Sequence, residues 1–549
     1  MEYSKLIRIF NKHFKGVNFA MRQRTSKVII PIIIFTISLL TGLPYSMQYP
    51  IFRTDELGEN LRAYAIVNYN FFPLTNNAPF IGALYNYLVA LIYFFIPSII
   101  SIRLFIVILG SLTPLLIYFL ALKLCRSVYV SLLASLILAL SPAHILITSH
   151  VAWSASLVPL LFALSLYVFM KALKSTWKWW FILGILVGLT IQAHPSSIAS
   201  IIAFLISYAL FIEKSLPKIL LNNIKFWFPG LIIGYINMVL YNIIVPLGSI
   251  TAVFKAPWTG LHGGLTIFEF IRRFVFLITE YVTMIIAGIP VITLGYLLQN
   301  IFFYVFITLL IIIVSYSLLK RSIVRSLALY TLLTLLILSI GTKGIMSSNI
   351  FGFTWGPHYL QQLLPLHSIL IAESLSTVYK SLIKNLKKRM KFIKILSIVM
   401  LLFIVIVPSM NLVGIYSFVT SNKCVNKPFL DTIYGLKKLL GRDTPIFIDV
   451  YSKYPPLFIL YQLAILENLN IYPRIKYFVE RPTKIYNIES FLKEIEDYDK
   501  AVLILKPQDE YEDYLSKYQI MQRVEVKGCF QKPLYRVLVI SIKHEAIIS

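Results

Sequence analysis

Between Val28 and Ser417 the chain returns repeatedly to apolar runs long enough to cross about 30 Å of hydrocarbon. Lipid offers the backbone no hydrogen-bond partner, so each run must close its own bonds as a helix. Runs this unbroken exclude a β-barrel. The chain has 58% hydrophobic and 14% charged residues, against about 25% charged in an ordinary soluble domain. Most of it must therefore dissolve in a bilayer.

Basic residues orient these runs. Lys5, Arg8, Lys12, Lys15, Arg22, Arg24 and Lys27 precede the first span with no small-residue cleavage site after them, which predicts a retained, cytoplasmic N-terminus over residues 1–27. With every dense basic loop placed inside, the spans fall at roughly 28–47, 102–122, 128–147, 151–170, 179–193, 198–212, 226–245, 301–319, 326–341, 359–378 and 392–417. These about eleven spans form a transmembrane domain over 28–419, with external loops at about 48–101 and 246–300. Two apolar stretches, 80–100 and 274–297, are interrupted by Tyr85, Asn86, Tyr87 and Pro97 and by Glu280, Gly288 and Pro290, which suits helices lying at the interface. The long loop from Pro246 to Asn300 carries Trp258, His262, Gly263 and Gly264 and could flex over a substrate.

The net charge of +27 is explained by the positive-inside bias, because the basic residues before Thr420 sit mostly in short loops. Nucleic acid is not an expected partner. An odd span count puts residues 420–549 outside, as a small soluble α/β domain. There acidic residues become frequent, and β-like runs at Pro445–Val450, Ala501–Lys506 and Tyr535–Ile542 alternate with amphipathic helical patterns. Cys125 falls at a cytoplasmic helix end, whereas Cys424 and Cys529 both belong to the external domain and could pair.

Only eight acidic residues precede Thr420: Glu2, Asp55, Glu56, Glu59, Glu213, Glu269, Glu280 and Glu373. Asp55 and Glu56 are adjacent, lie just outside the first span and open a helical stretch from about Asp55 to Asn68, which makes them the best catalytic candidates. The plainer alternative is that they cap that helix, since carboxylates favour helix N-termini by roughly 0.3 to 1 kcal/mol.

The Asp-Glu pair after the first span is followed by Pro79 to Tyr87 and by Arg103 to Tyr118. Further along come Ser141-Pro142-Ala143-His144, Val151-Ala152-Trp153 through Ser156-Leu157-Val158-Pro159, His194-Pro195-Ser196, and His358-Tyr359 through Pro365. In this order and spacing, over roughly residues 50 to 370, the sequence resembles glycosyltransferase family 39, which includes the protein O-mannosyltransferases and is related to the lipid A aminoarabinose transferases. It departs from many relatives at Ser154, where they have Asn, and at Ala78-Pro79, where the mannosyltransferases have a double proline.

The resemblance implies an all-α polytopic GT-C fold, an active site on the outer face and a polyprenyl-phosphate (dolichyl-type) sugar as donor, with an external protein or glycolipid as acceptor. Transfer from a phosphate that already leaves as a stable anion needs one base on the acceptor hydroxyl, and Asp55 fits that role, with Glu56 orienting the acceptor or holding a cation. The departing phosphate calls for a positive clamp. Arg103, at the outer start of the second span, is the first choice, although a snorkelling anchor is an equal alternative; Arg62, Lys343, Arg272 and Arg273 are weaker ones. Tyr85, His150, Trp153, His194, His358 and Tyr359 are the candidates for the substrate pocket. No cofactor is required, but His150, His194 and His358 could bind a divalent metal, against the plainer alternative of polar packing at helix ends. A transporter or flippase of lipid-linked sugars would explain the same composition but should show repeated halves and mid-membrane charges. A membrane scaffold whose external tail binds partners is a third reading.

Overall fold

A computed structural model describes residues 29–44, 46, 52, 54–149, 151–255, 265–286, 301–341, 356–385, 413, 426–440, 444–448, 455–472, 491, 493, 498, 500–505, 518–527 and 533–545. The expected run at 392–417 lies outside them, apart from residue 413.

The elements that build the site come first in the chain. Helix α1 (Ile29–Gly42) is apolar. Helix α2 (Thr54–Tyr69) opens with Asp55 and Glu56 in its first turn, where carboxylates meet the positive end of the helix dipole. It is followed by Asn70 in a left-handed conformation, φ 51°, which Asn tolerates better than most residues. Helix α3 (Leu84–Phe95) has 12 residues, about 18 Å at 1.5 Å per residue, too short to cross about 30 Å of hydrocarbon. Helix α4 (Ile99–Cys125) has 27 residues, and its N-cap Ser98 accepts from the Ile100 amide.

The run expected as one span over 128–147 is broken. Helix α5 (Val128–Ala139) stops there, because Pro142 has no amide to donate and Ser141 accepts from the His144 amide to start a new turn. Among the described residues, Ile99–Cys125, Ser154–Ala172 and Ser322–Gly341 are long and apolar enough to span, and Ile224–Gly234 with Ile236–Ile244 is an apolar pair bent by 71°, the shape of a broken span or a re-entrant loop. Shorter apolar helices include Trp177–Ala193, Ser197–Phe211 and Ile307–Lys320.

The bent pair meets the Trp177–Ala193 helix along a seam of glycines. A Cβ on Gly184 would lie 2.0 Å from the Trp227 carbonyl oxygen, and one on Gly234 would lie 2.1 Å from that of Ile185. Gly184 with Gly188 and Gly230 with Gly234 are both Gly-x-x-x-Gly pairs. Such pairs let backbones approach in lipid, where no hydrophobic force drives helices together.

The C-terminal domain is a five-stranded mixed sheet in the order β2-β1-β3-β5-β4, from β1 (Ile446–Ile448), β2 (Ile471–Tyr472), β3 (Lys500–Leu505), β4 (Tyr518–Lys527) and β5 (Pro533–Glu545). β1 pairs in parallel with β2 and β3, while β5 pairs antiparallel with β3 and β4. Helix Pro455–Leu466 connects β1 to β2, as a parallel pair requires.

This domain does not hang free. Phe52, Leu57, Tyr85, Val89, Tyr93 and Ile102 share one apolar core with Phe429, Ile446, Leu457, Leu460, Leu463 and Val502. Polar bonds fix the register of that contact: the Phe52 amide donates to Asn426 Oδ1 at 2.7 Å and the Tyr93 hydroxyl to the Leu466 carbonyl at 2.7 Å. Glu467 Oε1 accepts from the Ser98 hydroxyl and the Ile99 amide, at 2.7 and 3.0 Å. The domain therefore sits on the same side as α2, against the N-terminus of α4.

Candidate active site

Helix α2 sorts its charges by face. Glu56 and Glu59, three residues apart, are buried, whereas Asp55 is exposed. Asp55, Gly58 and Arg62 follow one another along a second stripe at helical spacing. Asn77 lies across that stripe: its Oδ1 accepts from Arg62 Nε at 2.9 Å, and its Nδ2 lies 3.5 Å from the Asp55 carbonyl oxygen. Gly58 makes room for it, since a Cβ there would stand 2.6 Å from Asn77 Nδ2. Arg62 also donates to the Thr75 carbonyl at 3.4 Å. The outer face of α2 thus carries an exposed carboxylate and, two turns on, a half-buried guanidinium held by neutral acceptors.

The inner face is locked. Arg103 donates from Nε to Glu56 Oε1 at 2.9 Å and from Nη2 to Oε2 at 2.8 Å, while Nη1 donates to the Ser46 carbonyl at 2.6 Å. Both side chains of the pair are fully buried, and the guanidinium stacks 4.1 Å from the centre of the Phe52 ring. Arg103, expected as the phosphate clamp, thus has Nε and Nη2 bonded to Glu56 and Nη1 bonded to a backbone carbonyl. Glu56 also accepts from the Ala152 amide at 3.0 Å.

Glu59 carries no ion pair among the described residues. Its oxygens accept from the Ser154 amide at 2.6 Å and the Ser154 hydroxyl at 3.1 Å. Burial pushes its carboxyl up to about 7, against the Ser154 hydrogen bonds, which pull it down. Neutral amides surround it: Asn60 Nδ2 donates to the Ala152 carbonyl at 3.1 Å and receives the Tyr85 hydroxyl on its Oδ1 at 2.7 Å. Asn86 Nδ2 donates to the Glu59 carbonyl at 2.8 Å.

Of the other expected site residues, Tyr85 and Trp153 are buried beside this network. Of the three expected histidines, His194 Nδ1 pairs with the Ser196 hydroxyl at 2.7 Å; His150 and the side chain of His358 lie outside the described residues, as do Lys343 and the side chain of Tyr359. Arg272 and Arg273 both pair with Glu269 on their own helix. Cys424 and Cys529 also lie outside the described residues. Sequence reasoning missed Glu59, Asn60 and Asn77 as site residues; the available signal was Gly58, a glycine inside an otherwise good helix.

A family model described as dolichyl-phosphate-mannose-protein mannosyltransferase matches residues 77–242. The chain has the GT-C fold and is a multi-pass membrane protein. The solved structures it resembles include ArnT from Cupriavidus metallidurans bound to undecaprenyl phosphate, at 12% identity and a TM-score of 0.56, covering 94% of this chain and 97% of that one. The apo state of the same protein matches at 12% identity and a TM-score of 0.51, covering 95% and 98%. No curated protein matches the chain by sequence. Asp55 and Glu56 precede the segment matched by the family model.

Proposed function

We propose that this chain is an integral-membrane glycosyltransferase that moves a sugar from a polyprenyl phosphate to an acceptor on the outer face, with Asp55 as the base. The observation that carries the proposal is the contrast within α2: Glu56 and Glu59 are buried and bonded inward, and Asp55 alone of the three is exposed. Asp55 takes the proton of the acceptor hydroxyl as its oxygen attacks the anomeric carbon; the bond from that carbon to the phosphate oxygen breaks, and the phosphate leaves on its lipid. Because the leaving group is already a stable anion, a single carboxylate suffices.

Arg62 takes the place of Arg103 as the phosphate-binding candidate, since its partners Asn77 and Thr75 are neutral and leave its charge available. The likeness of the whole chain to a fold crystallised with undecaprenyl phosphate supports a polyprenyl-phosphate donor. The basic loops support an outward-facing site, and with it an external C-terminal domain. The sugar, mannose-like or another hexose or pentose, and the acceptor, protein or glycolipid, are assigned only by class.

Purified protein incubated with labelled polyprenyl-phosphate sugars and candidate acceptors tests the proposal. Asp55→Asn keeps the size of the side chain and removes the base, so transfer falls by about 10²- to 10⁴-fold while donor binding persists. A folded Asp55→Asn protein with the parent rate overturns the assignment.

A further inference from the structure

Two half-buried lysines share one aromatic ring at the C-terminal end of α4. The Lys123 ammonium, in the last turn of α4, stands 4.7 Å from the centre of the Tyr167 ring. That of Lys171, at the end of the Ser154–Ala172 span, stands 5.1 Å from the same ring and 4.3 Å from that of Trp179. Lys174 follows one turn on and is exposed, and the charges of Lys171 and Lys174 both bear on Lys123. Like charges gathered in this way repel, and partial burial adds a desolvation cost that the aromatic faces return only in part. Among the described residues no acidic side chain forms an ion pair with Lys123, Lys171 or Lys174. An anion from outside the chain is what would neutralise the cluster.

The Ser154–Ala172 span and the Trp177–Ala193 helix, with their neighbours, also line a groove of about 330 Å³. Its lining is apolar except for two groups that are already bonded. The Ser165 hydroxyl donates to the Leu161 carbonyl at 2.8 Å, and the Trp227 indole N–H donates to the Leu220 carbonyl at 3.0 Å. A cavity that offers water no partners stays dry and takes a hydrocarbon. Ile198 and Ile202, both exposed, form its open side. On the Trp177–Ala193 helix the groove follows Leu183, Val187 and Ile191 at four-residue spacing, and Trp179 stands one turn before Leu183 on that stripe. The Lys171 ammonium over Trp179 therefore marks the end of the groove.

We propose that this is a binding site for one anionic phospholipid, its phosphate held by Lys123, Lys171 and Lys174 and an acyl chain lying in the groove. Cations at the end of an apolar channel match an amphiphile with a charged head; free phosphate fills only the first half and an uncharged lipid only the second. Its place separates it from the site proposed for transfer. Ile99 meets the C-terminal domain at one end of α4, and Lys123, near the other end, lies about 36 Å away at 1.5 Å per residue. The phosphate thus sits in the leaflet opposite α2, and the inference does not depend on the proposed function.

The test uses the full-length protein, delipidated in a neutral detergent and titrated with phosphatidylglycerol or phosphatidylcholine, with bound lipid counted by native mass spectrometry. One phosphatidylglycerol is expected to bind at least about 10-fold more tightly than phosphatidylcholine, and inorganic phosphate at the same concentration does not displace it. A lysine beside a headgroup is worth about fivefold in affinity, so Lys123→Gln with Lys171→Gln weakens phosphatidylglycerol binding by about 25-fold. Lys320→Gln, an exposed lysine outside the cluster, leaves binding within about twofold of the parent. Ile202→Trp, which fills the groove from its open side, weakens binding with all three lysines in place. Equal affinity for the two lipids, parent-like binding by the double variant, or the same loss in Lys320→Gln overturns the site. Displacement by an equal concentration of polyprenyl phosphate would make it a site for the carrier lipid and overturn the choice of occupant. Should the double variant fail to fold, the parent's preference and Ile202→Trp decide.

Discussion

The Arg103 guanidinium and the Glu56 carboxylate meet through two side-by-side hydrogen bonds of 2.9 and 2.8 Å, with no solvent reaching either side chain. One comes from the membrane helix α4 and the other from α2, so the pair fixes the helix that carries Asp55 to the transmembrane domain. Removing one partner of such a pair leaves a buried charge uncompensated, which costs about 3 to 5 kcal/mol. Arg103→Met is therefore expected to lower thermal stability in detergent strongly. Arg103→Met combined with Glu56→Gln should recover part of the loss, and simple additivity of the two would argue against the pair.

Arg62 should behave in the opposite way. It is half-buried with neutral partners, so Arg62→Ala is expected to leave stability within about 1 kcal/mol while weakening donor binding and slowing transfer. Lipid-phosphate binding measured directly on the variant checks this. Unchanged binding would move the clamp to a residue outside α2.

Glu59 gives stability a pH dependence of definite sign. Its folded carboxyl is raised from 4.5 to about 7, so the stability it contributes is fully present below about pH 4.5 and is lost as the pH rises through about 7. Melting temperatures of the parent should decline over that window more steeply than those of Glu59→Gln. Parallel curves would show that the group does not titrate there.

Glu467 ties the C-terminal domain to α4. It caps the helix through the Ser98 hydroxyl and the Ile99 amide and pairs with Lys437 at 2.6 Å. Glu467→Ala leaves these donors unsatisfied and is expected to cost about 1 to 3 kcal/mol. Limited proteolysis should then release the C-terminal domain more readily; an unchanged cleavage pattern would mean that the shared apolar core alone holds it.

The glycine seam makes the sharpest steric prediction. Gly184→Leu puts a side chain where the Trp227 carbonyl oxygen stands 2.0 Å from an added Cβ, so the bent pair must separate from its neighbour. Loss of monodisperse, folded protein in size-exclusion chromatography is the expected result, whereas Leu at the exposed Ile182 position should be tolerated.

The sequence by itself determined the helical membrane class, because apolar runs of that length admit no other structure in lipid. It also determined the α/β character of the tail through its periodicity, and the position of the Asp55 helix through the acidic first turn. These are local or compositional properties. What only the tertiary structure decided is the use of each charge. Arg103 and Glu56 are 47 positions apart, and nothing in either neighbourhood says that they meet in a buried ion pair. Glu59 looked like one more polar helix residue until Ser154 was brought onto it from 95 positions away. The docking of the C-terminal domain was not legible either, because its bond to α4 joins Glu467 to Ile99 across 368 positions. The roles of buried charges depend on which partners the fold brings within 3 Å, and a sequence pattern holds no record of that distance.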